Sequence, residues 1–166
     1  MKKCVFAGTF DPPTTGHKRI VEDCLKIFDE VVVAILINPD KKALFTVEER
    51  TKLLEKIFKC EKGVRVISFD GAVVDLLESE NTPFYIRGIR NTVDFEYENS
   101  NFFANKKLKK DIVTIYLPAG QEELHISSSL VKNSIKFNKD FSEYIPKEIH
   151  EDIKKLLKDK NVYKAN

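Results

Sequence analysis

Five short apolar runs, at residues 3–7, 31–37, 64–69, 84–87 and 112–117, alternate with stretches whose apolar residues recur at helical spacing. Runs this short, rich in Val, Ile and Phe and each separated by a helical pattern, are the mark of parallel strands buried on both faces. A parallel connection needs a crossover, and the crossover helices cover the sheet. The chain is therefore expected to be α/β, with a Rossmann-like doubly wound five-stranded parallel sheet and helices on both faces. Helices are predicted over 16–28, 47–59, 72–80, 92–107, 128–137 and 146–158. Thr46 and Glu49 have the spacing of a capping box, and Pro146 suits a first helical turn. With 166 residues, 42% of them hydrophobic, one domain over 1–166 with one sizeable core is the natural organisation.

Ligands of such a sheet bind beyond the carboxyl ends of the strands, where the strand order reverses. The notable polar residues fall there: Thr9 follows the first run, Lys41 the second, Gly71 the third, Arg87 and Arg90 the fourth, and residues 121–129 the fifth. The first junction is the most specific. Gly8-Thr9-Phe10-Asp11-Pro12-Pro13-Thr14-Thr15-Gly16-His17 closes a strand and opens a helix with Ile20, Val21, Cys24, Leu25 and Phe28 turned inward. Free N–H groups and the dipole at a helix start favour an anion, and Gly16 lets a ligand approach. His17, in the first turn, can donate a hydrogen bond to a phosphoryl oxygen.

Charge and cysteine usage narrow the alternatives. Twenty-eight basic against 26 acidic residues leave a net charge of +2, which gives no global field for nucleic acid or an acidic membrane. The basic runs at 105–110 and 154–160 carry apolar residues at helical spacing and read as solvated helix faces. Cys4, Cys24 and Cys60 form no C-x-x-C pair and no even disulfide set, and His17, His125 and His150 are scattered, so no zinc spacing arises. No signal segment or membrane-spanning run is seen, and a cytoplasmic protein with no membrane partner is expected. The G-x-G-x-x-G fingerprint and the Walker A motif are both missing.

Four further blocks follow the first in order: Lys41-Lys42 with Phe45-Thr46-Val47-Glu48-Glu49-Arg50; Arg87-Gly88-Ile89-Arg90; Asp94-Phe95-Glu96-Tyr97-Glu98; and Ile126-Ser127-Ser128-Ser129-Leu130-Val131-Lys132. Thr14-Thr15-Gly16-His17 resembles the T/H-x-G-H signature of the nucleotidyltransferase superfamily. Together the blocks resemble the phosphopantetheine adenylyltransferase family over nearly the whole chain.

That resemblance implies reversible transfer of an adenylyl group from ATP, with Mg²⁺, to 4′-phosphopantetheine, giving dephospho-coenzyme A and pyrophosphate. In-line attack without a covalent enzyme intermediate is implied. His17 would stabilise the transition state, with Lys41 and Arg90 as the other catalytic residues. ATP contacts are implied for Thr9, Phe10, His17, Gly88, Ile89, Arg90, Glu98 (at the ribose hydroxyls), Glu123, Leu124, His125 and Ile126. Ser127, Ser128 and Ser129 would receive the β- and γ-phosphates. Contacts to phosphopantetheine are implied for Thr9, Lys41, Val73, Arg87 and Asn105. The resemblance also implies a homohexamer, no nucleic-acid partner, and coenzyme A as an inhibitor in the same pocket.

The chain departs from the family in Ala119-Gly120-Gln121-Glu122-Glu123-Leu124-His125, one residue longer than usual and without the usual aromatic residues. Adenine is expected to be held there by backbone hydrogen bonds and aliphatic contact rather than by stacking. Sister cytidylyltransferases carry H-x-G-H and R-T-x-G-x-S-T-T, where this chain has Thr14 and the serine block. A non-catalytic nucleotide or coenzyme A sensor would be expected to lose His17 or Lys41.

Overall fold

In the first strand, β1 (Lys3–Gly8), Cys4 and Phe6 enter one apolar cluster while Val5 and Ala7 enter another, and all four side chains are buried. β2 (Glu30–Leu36) repeats the pattern: Val31, Val33 and Ile35 join Cys4, whereas Val32 and Ala34 join Val5. Burial on both faces is what the interior strands of a parallel sheet require. The computed structural model describes residues 1–37 and 42–162. β3 (Val64–Phe69), β4 (Phe84–Ile89) and β5 (Val113–Pro118) complete a five-stranded sheet of order β3-β2-β1-β4-β5, with every pairing parallel.

Four helices cover the Cys4 face: α1 (Thr15–Leu25), α2 (Val47–Ile57), α5 (Ser128–Lys136) and α6 (His150–Asp159). Their inward residues include Ile20, Val21, Leu53, Val131, Ile135, Ile153 and Leu157. On the other face α3 (Val73–Ser79) inserts Val74, Leu76 and Leu77. α4 (Thr92–Leu108) lies against β4 and α3. The doubly wound arrangement matches the sequence reading.

The differences are at element ends. Thr46 and Glu49 do form a reciprocal capping box, with Thr46 N–H donating to Glu49 at 2.7 Å and Glu49 N–H donating to Thr46 at 3.2 Å. The helix predicted to begin at Pro146 instead opens as a 3₁₀ turn over Lys147–Ile149, and the α-helix starts at His150. α4 buries only Glu98, leaving Val93, Phe95, Tyr97, Phe103 and Leu108 exposed.

The sheet order reverses between β1 and β4. Their carboxyl ends, with the loops that follow them, form a cleft there.

Candidate active site

Past Gly8 the chain turns through Phe10, at φ 47°, and reaches Thr14, the N-cap of α1. Thr14 Oγ1 accepts from the His17 N–H at 3.3 Å, and the Thr14 N–H donates to His17 Nδ1 at 3.0 Å. This is a capping box with an imidazole in the place usually held by Glu or Gln. Because Nδ1 accepts, the neutral ring carries its proton on Nε2. The Phe10 ring packs edge-on against the imidazole at 4.9 Å between centroids. Burial, then the charges of Arg90 and Arg87, hold the His17 pKa down at about 4. The site therefore presents a neutral, oriented N–H donor near neutral pH.

That depression links pH to stability. The unfolded chain takes up a proton at His17 near its ordinary value of 6.5, whereas the folded chain does so only at about 4. The unfolded state binds more protons within that window, so this contribution to stability is complete above it and is lost as pH falls through it. Urea midpoints measured from about pH 7 to about pH 4 should fall less steeply for His17→Gln than for the wild type.

Buried charges hold the loop that carries Thr9 and Phe10. The Asp11 carboxylate accepts from the N–H groups of Leu44 and Phe45, both at 2.9 Å, and meets Lys132 Nζ at 3.4 Å. Arg50 donates to the Thr9 carbonyl at 2.6 Å and to the Thr46 carbonyl at 3.3 Å. The segment just before α2 is thus fastened to the β1–α1 loop. Lys41 belongs to residues 38–41, outside the described residues.

On the facing strand, Arg87 donates to the Ala7 carbonyl at 2.8 Å, to the Tyr85 hydroxyl at 3.2 Å and to the Glu98 carboxylate. Burial opposes its charge, but Tyr85 and Glu98 outweigh that and raise the Arg87 pKa. Glu98, read from the sequence as a ribose contact, is paired with Arg87 here. Arg90 grips Asp94 through Nε at 2.8 Å and Nη2 at 3.0 Å, and Asp94 also accepts the Arg90 backbone N–H at 3.1 Å. Arg90 is the leading cause of the lowered Asp94 pKa. Gly88 lies between the two arginines. A Cβ there would stand 2.2 Å from Ile20 Cδ1, so the bare Cα lets α1 approach the end of β4.

The serine block opens α5. Ser127 caps it by accepting from the Leu130 N–H at 3.0 Å, and the Ser128 hydroxyl donates to the Pro12 carbonyl at 2.8 Å, which joins this helix start to the β1–α1 loop. Among the described residues the Ser129 hydroxyl has no partner, and it faces the cleft with its neighbours.

These groups surround a main cavity of about 590 Å³ lined by Thr9, Phe10, His17, Gly88, Arg90, Glu98, Glu123, Ile126 and the three serines. A second cavity of about 410 Å³ is lined by Val73, Tyr85, Asn105 and others. Gly8, Thr9, Arg87, Tyr97 and Glu98 border both. The sequence-derived residues for two ligands therefore fall into two adjoining lobes with a common wall. Among the described residues of that set, three line neither lobe: Ile89, Leu124 and His125. A 3₁₀ turn over Gln121–Glu123 winds the loop so that Glu123 faces inward and Leu124 is 46% exposed. The His125 ring instead lies against Tyr144, 5.8 Å between centroids.

The sequence reading gave no role to Asp11, Arg50, Asp94 or Tyr97. All four lie inside the motif blocks, and Asp94 also stands at i,i+4 spacing from Arg90.

A family model described as cytidylyltransferase-like matches residues 5–134. The phosphopantetheine adenylyltransferase of Clostridium tetani is 42% identical over 160 residues, 96% of this chain and 100% of the relative. That of Clostridium botulinum strain Alaska E43 is 41% identical over 153 residues, 92% of this chain and 96% of its own. That of Nautilia profundicola is 41% identical over 151 residues, 91% and 98% respectively. A solved structure from Vibrio parahaemolyticus, described as a nicotinate-nucleotide adenylyltransferase, superposes with a TM-score of 0.72 over 100% of this chain and 98% of its own at 22% identity, a likeness of fold.

Proposed function

The chain belongs to the phosphopantetheine adenylyltransferase family, and from that premise we propose that it transfers the adenylyl group of ATP to 4′-phosphopantetheine, reversibly, in coenzyme A biosynthesis. The observation that carries this reading is the pair of adjoining cavities meeting at Thr9, with His17 in the larger one. A nucleoside triphosphate in the larger lobe and the phosphate end of phosphopantetheine in the smaller bring acceptor and α-phosphorus together at that wall. Thr9 then contacts both substrates.

In the forward direction a phosphate oxygen of phosphopantetheine bonds to the α-phosphorus, and the bond from that phosphorus to the α–β bridging oxygen breaks. Its electron pair leaves with pyrophosphate, and dephospho-coenzyme A remains. The acceptor is itself the nucleophile, so the protein supplies positioning and charge stabilisation, with no covalent intermediate. The neutral His17 Nε2–H donates to an α-phosphoryl oxygen as negative charge builds there. Arg90, Ser128 and Ser129 hold the departing pyrophosphate, while Lys41 and Arg87 hold the acceptor phosphate.

Mg²⁺ enters as the ATP complex. Among the described residues no group of three His, Cys, Asp or Glu side chains could hold a metal, and Mg²⁺ commonly binds through phosphate oxygens with few protein ligands. The exposed apolar side chains of α4 support assembly of copies, with a homohexamer as the expected state. Coenzyme A, sharing the pantetheine and nucleotide parts, would inhibit by filling both lobes. Among the described residues no helix is long and apolar enough to cross a membrane, in keeping with the proposed cytoplasmic location.

The decisive assay is pyrophosphate release with ATP and 4′-phosphopantetheine, set against CTP and glycerol 3-phosphate. Turnover with the first pair alone is expected, and turnover with the second would replace this reading by a cytidylyltransferase. Calorimetry on variants tests the division of ligands: Arg90→Ala should weaken ATP and pyrophosphate by roughly tenfold or more, and Lys41→Ala should do the same to phosphopantetheine. Equal loss of both ligands in each variant would count against it.

A further inference from the structure

We infer that Asp94 is a positioning residue for Arg90: its carboxylate fixes the guanidinium so that one edge stays open for the pyrophosphate end of the nucleotide. The inference rests on the reading of the main cavity as a nucleotide site and adds a residue to which that reading gives no role.

Helix α4 offers one carboxylate to each arginine at the preceding strand end. Asp94 and Glu98 stand four residues apart, so they share a face of the helix, and they meet Arg90 and Arg87 respectively. The Arg90 and Asp94 side chains are 36% and 23% exposed, and an ion pair so open to water adds little to folding. A carboxylate beside a cleft that receives a triphosphate is also unfavourable by charge. Its place there is explained by what it does to Arg90.

The grip is bidentate. Asp94 Oδ2 accepts from Arg90 Nε at 2.8 Å and Oδ1 accepts from Nη2 at 3.0 Å, while Oδ2 also takes the Arg90 backbone N–H at 3.1 Å. The Asp94 N–H in turn donates to the Asn91 side chain at 2.9 Å, which holds the first turn of α4. Hydrogen bonding from Arg90 keeps the Asp94 carboxyl below its usual range, so the group is ionised at neutral pH. These bonds occupy the Nε–Nη2 edge of the guanidinium. The edge formed by Nη1 and Nη2 is the one that can meet a second anion, and Nη1 reaches the Ile126 carbonyl at 3.4 Å, beside the serine block. Asp94, Arg90 and the three serines line the same cavity. Without Asp94 the only other tie of this guanidinium, among the described residues, is that 3.4 Å contact. A long exposed side chain would then have to be ordered by the ligand itself.

Calorimetric titration of the full chain with pyrophosphate tests this. Asp94→Ala removes a negative charge from the cleft, so repulsion alone would tighten binding, whereas positioning predicts binding weaker by roughly three- to tenfold. Phosphopantetheine binding should be unchanged. Asp94→Glu, which restores a carboxylate at the same i,i+4 spacing, should recover most of the loss. In an Arg90→Ala background Asp94→Ala should make no further difference, because the residue acts through Arg90. Unchanged or tighter pyrophosphate binding in Asp94→Ala, equal weakening of phosphopantetheine, or the same loss with Arg90 already removed would overturn the proposal. Failure of the wild type to form dephospho-coenzyme A would strike only the reaction proposed above, since the pyrophosphate titration still decides the role of Asp94. A wild type that does not bind pyrophosphate would overturn both.

Discussion

Replacing His17 by alanine is expected to lower kcat by roughly 10²–10³-fold while changing ATP affinity only a few-fold. The asymmetry follows from the ring's place. In the proposed reaction its Nε2–H meets an α-phosphoryl oxygen whose charge is greatest in the transition state, so the interaction adds little to ground-state binding. The same substitution removes half of a capping box, because the Thr14 N–H loses its acceptor at Nδ1. A separate stability loss of about 0.5–2 kcal/mol is therefore expected. His17→Gln keeps an acceptor for the cap but not the oriented N–H donor. It should recover most of the melting temperature and little of kcat. A variant that restored both together would show that the imidazole acts through the helix start alone.

The Arg87–Glu98 pair should show the largest effect on folding. The side chains are only 24% and 9% exposed, and the guanidinium also holds the Ala7 carbonyl across the β1–β4 seam. Glu98→Ala leaves a buried positive charge without its partner, and a loss of about 3–5 kcal/mol is expected by urea unfolding. Glu98→Gln, which retains an acceptor, should be milder. Arg87→Met with Glu98→Leu should cost less than Glu98→Ala alone, because no charge is then stranded. A Glu98→Ala protein within about 1 kcal/mol of wild type would mean that water screens the pair as it screens a surface ion pair. Arg87→Ala should in addition weaken phosphopantetheine binding and leave ATP binding nearly unchanged.

The sheet was legible because its signal is periodic. Short β-branched runs and 3.6-residue patterns report local structure, and the alternation of Val31, Val33 and Ile35 with Val32 and Ala34 marks a strand buried on both faces. The site was legible as a set of loops, since strand ends and motif blocks fall at one edge of a parallel sheet. What each side chain does within that set was less so. Glu98 meets Arg87 eleven residues away, from a helix onto a strand, and Asp11 reaches amides 33 and 34 residues on. Such contacts leave no trace in spacing. The 119–126 loop was less legible for another reason: a single 3₁₀ turn has no period to read, so the inward place of Glu123 and the packing of His125 on Tyr144 emerged only in three dimensions.

Strand order also governs what happens during synthesis. β1, β2 and β3 are all present once residue 69 has been made, and their registers can close completely. The other edge of β1 has no partner until β4, which begins at residue 84. A growing chain at that stage carries the middle strand of its sheet as an open edge, the kind of surface that pairs with other molecules. The arrival of β4 ends that exposure, and the same strand brings Arg87 and Gly88 to face the helix start that carries His17. The step that protects the nascent chain from mispairing is thus the step that first gives it the second wall of its main cavity.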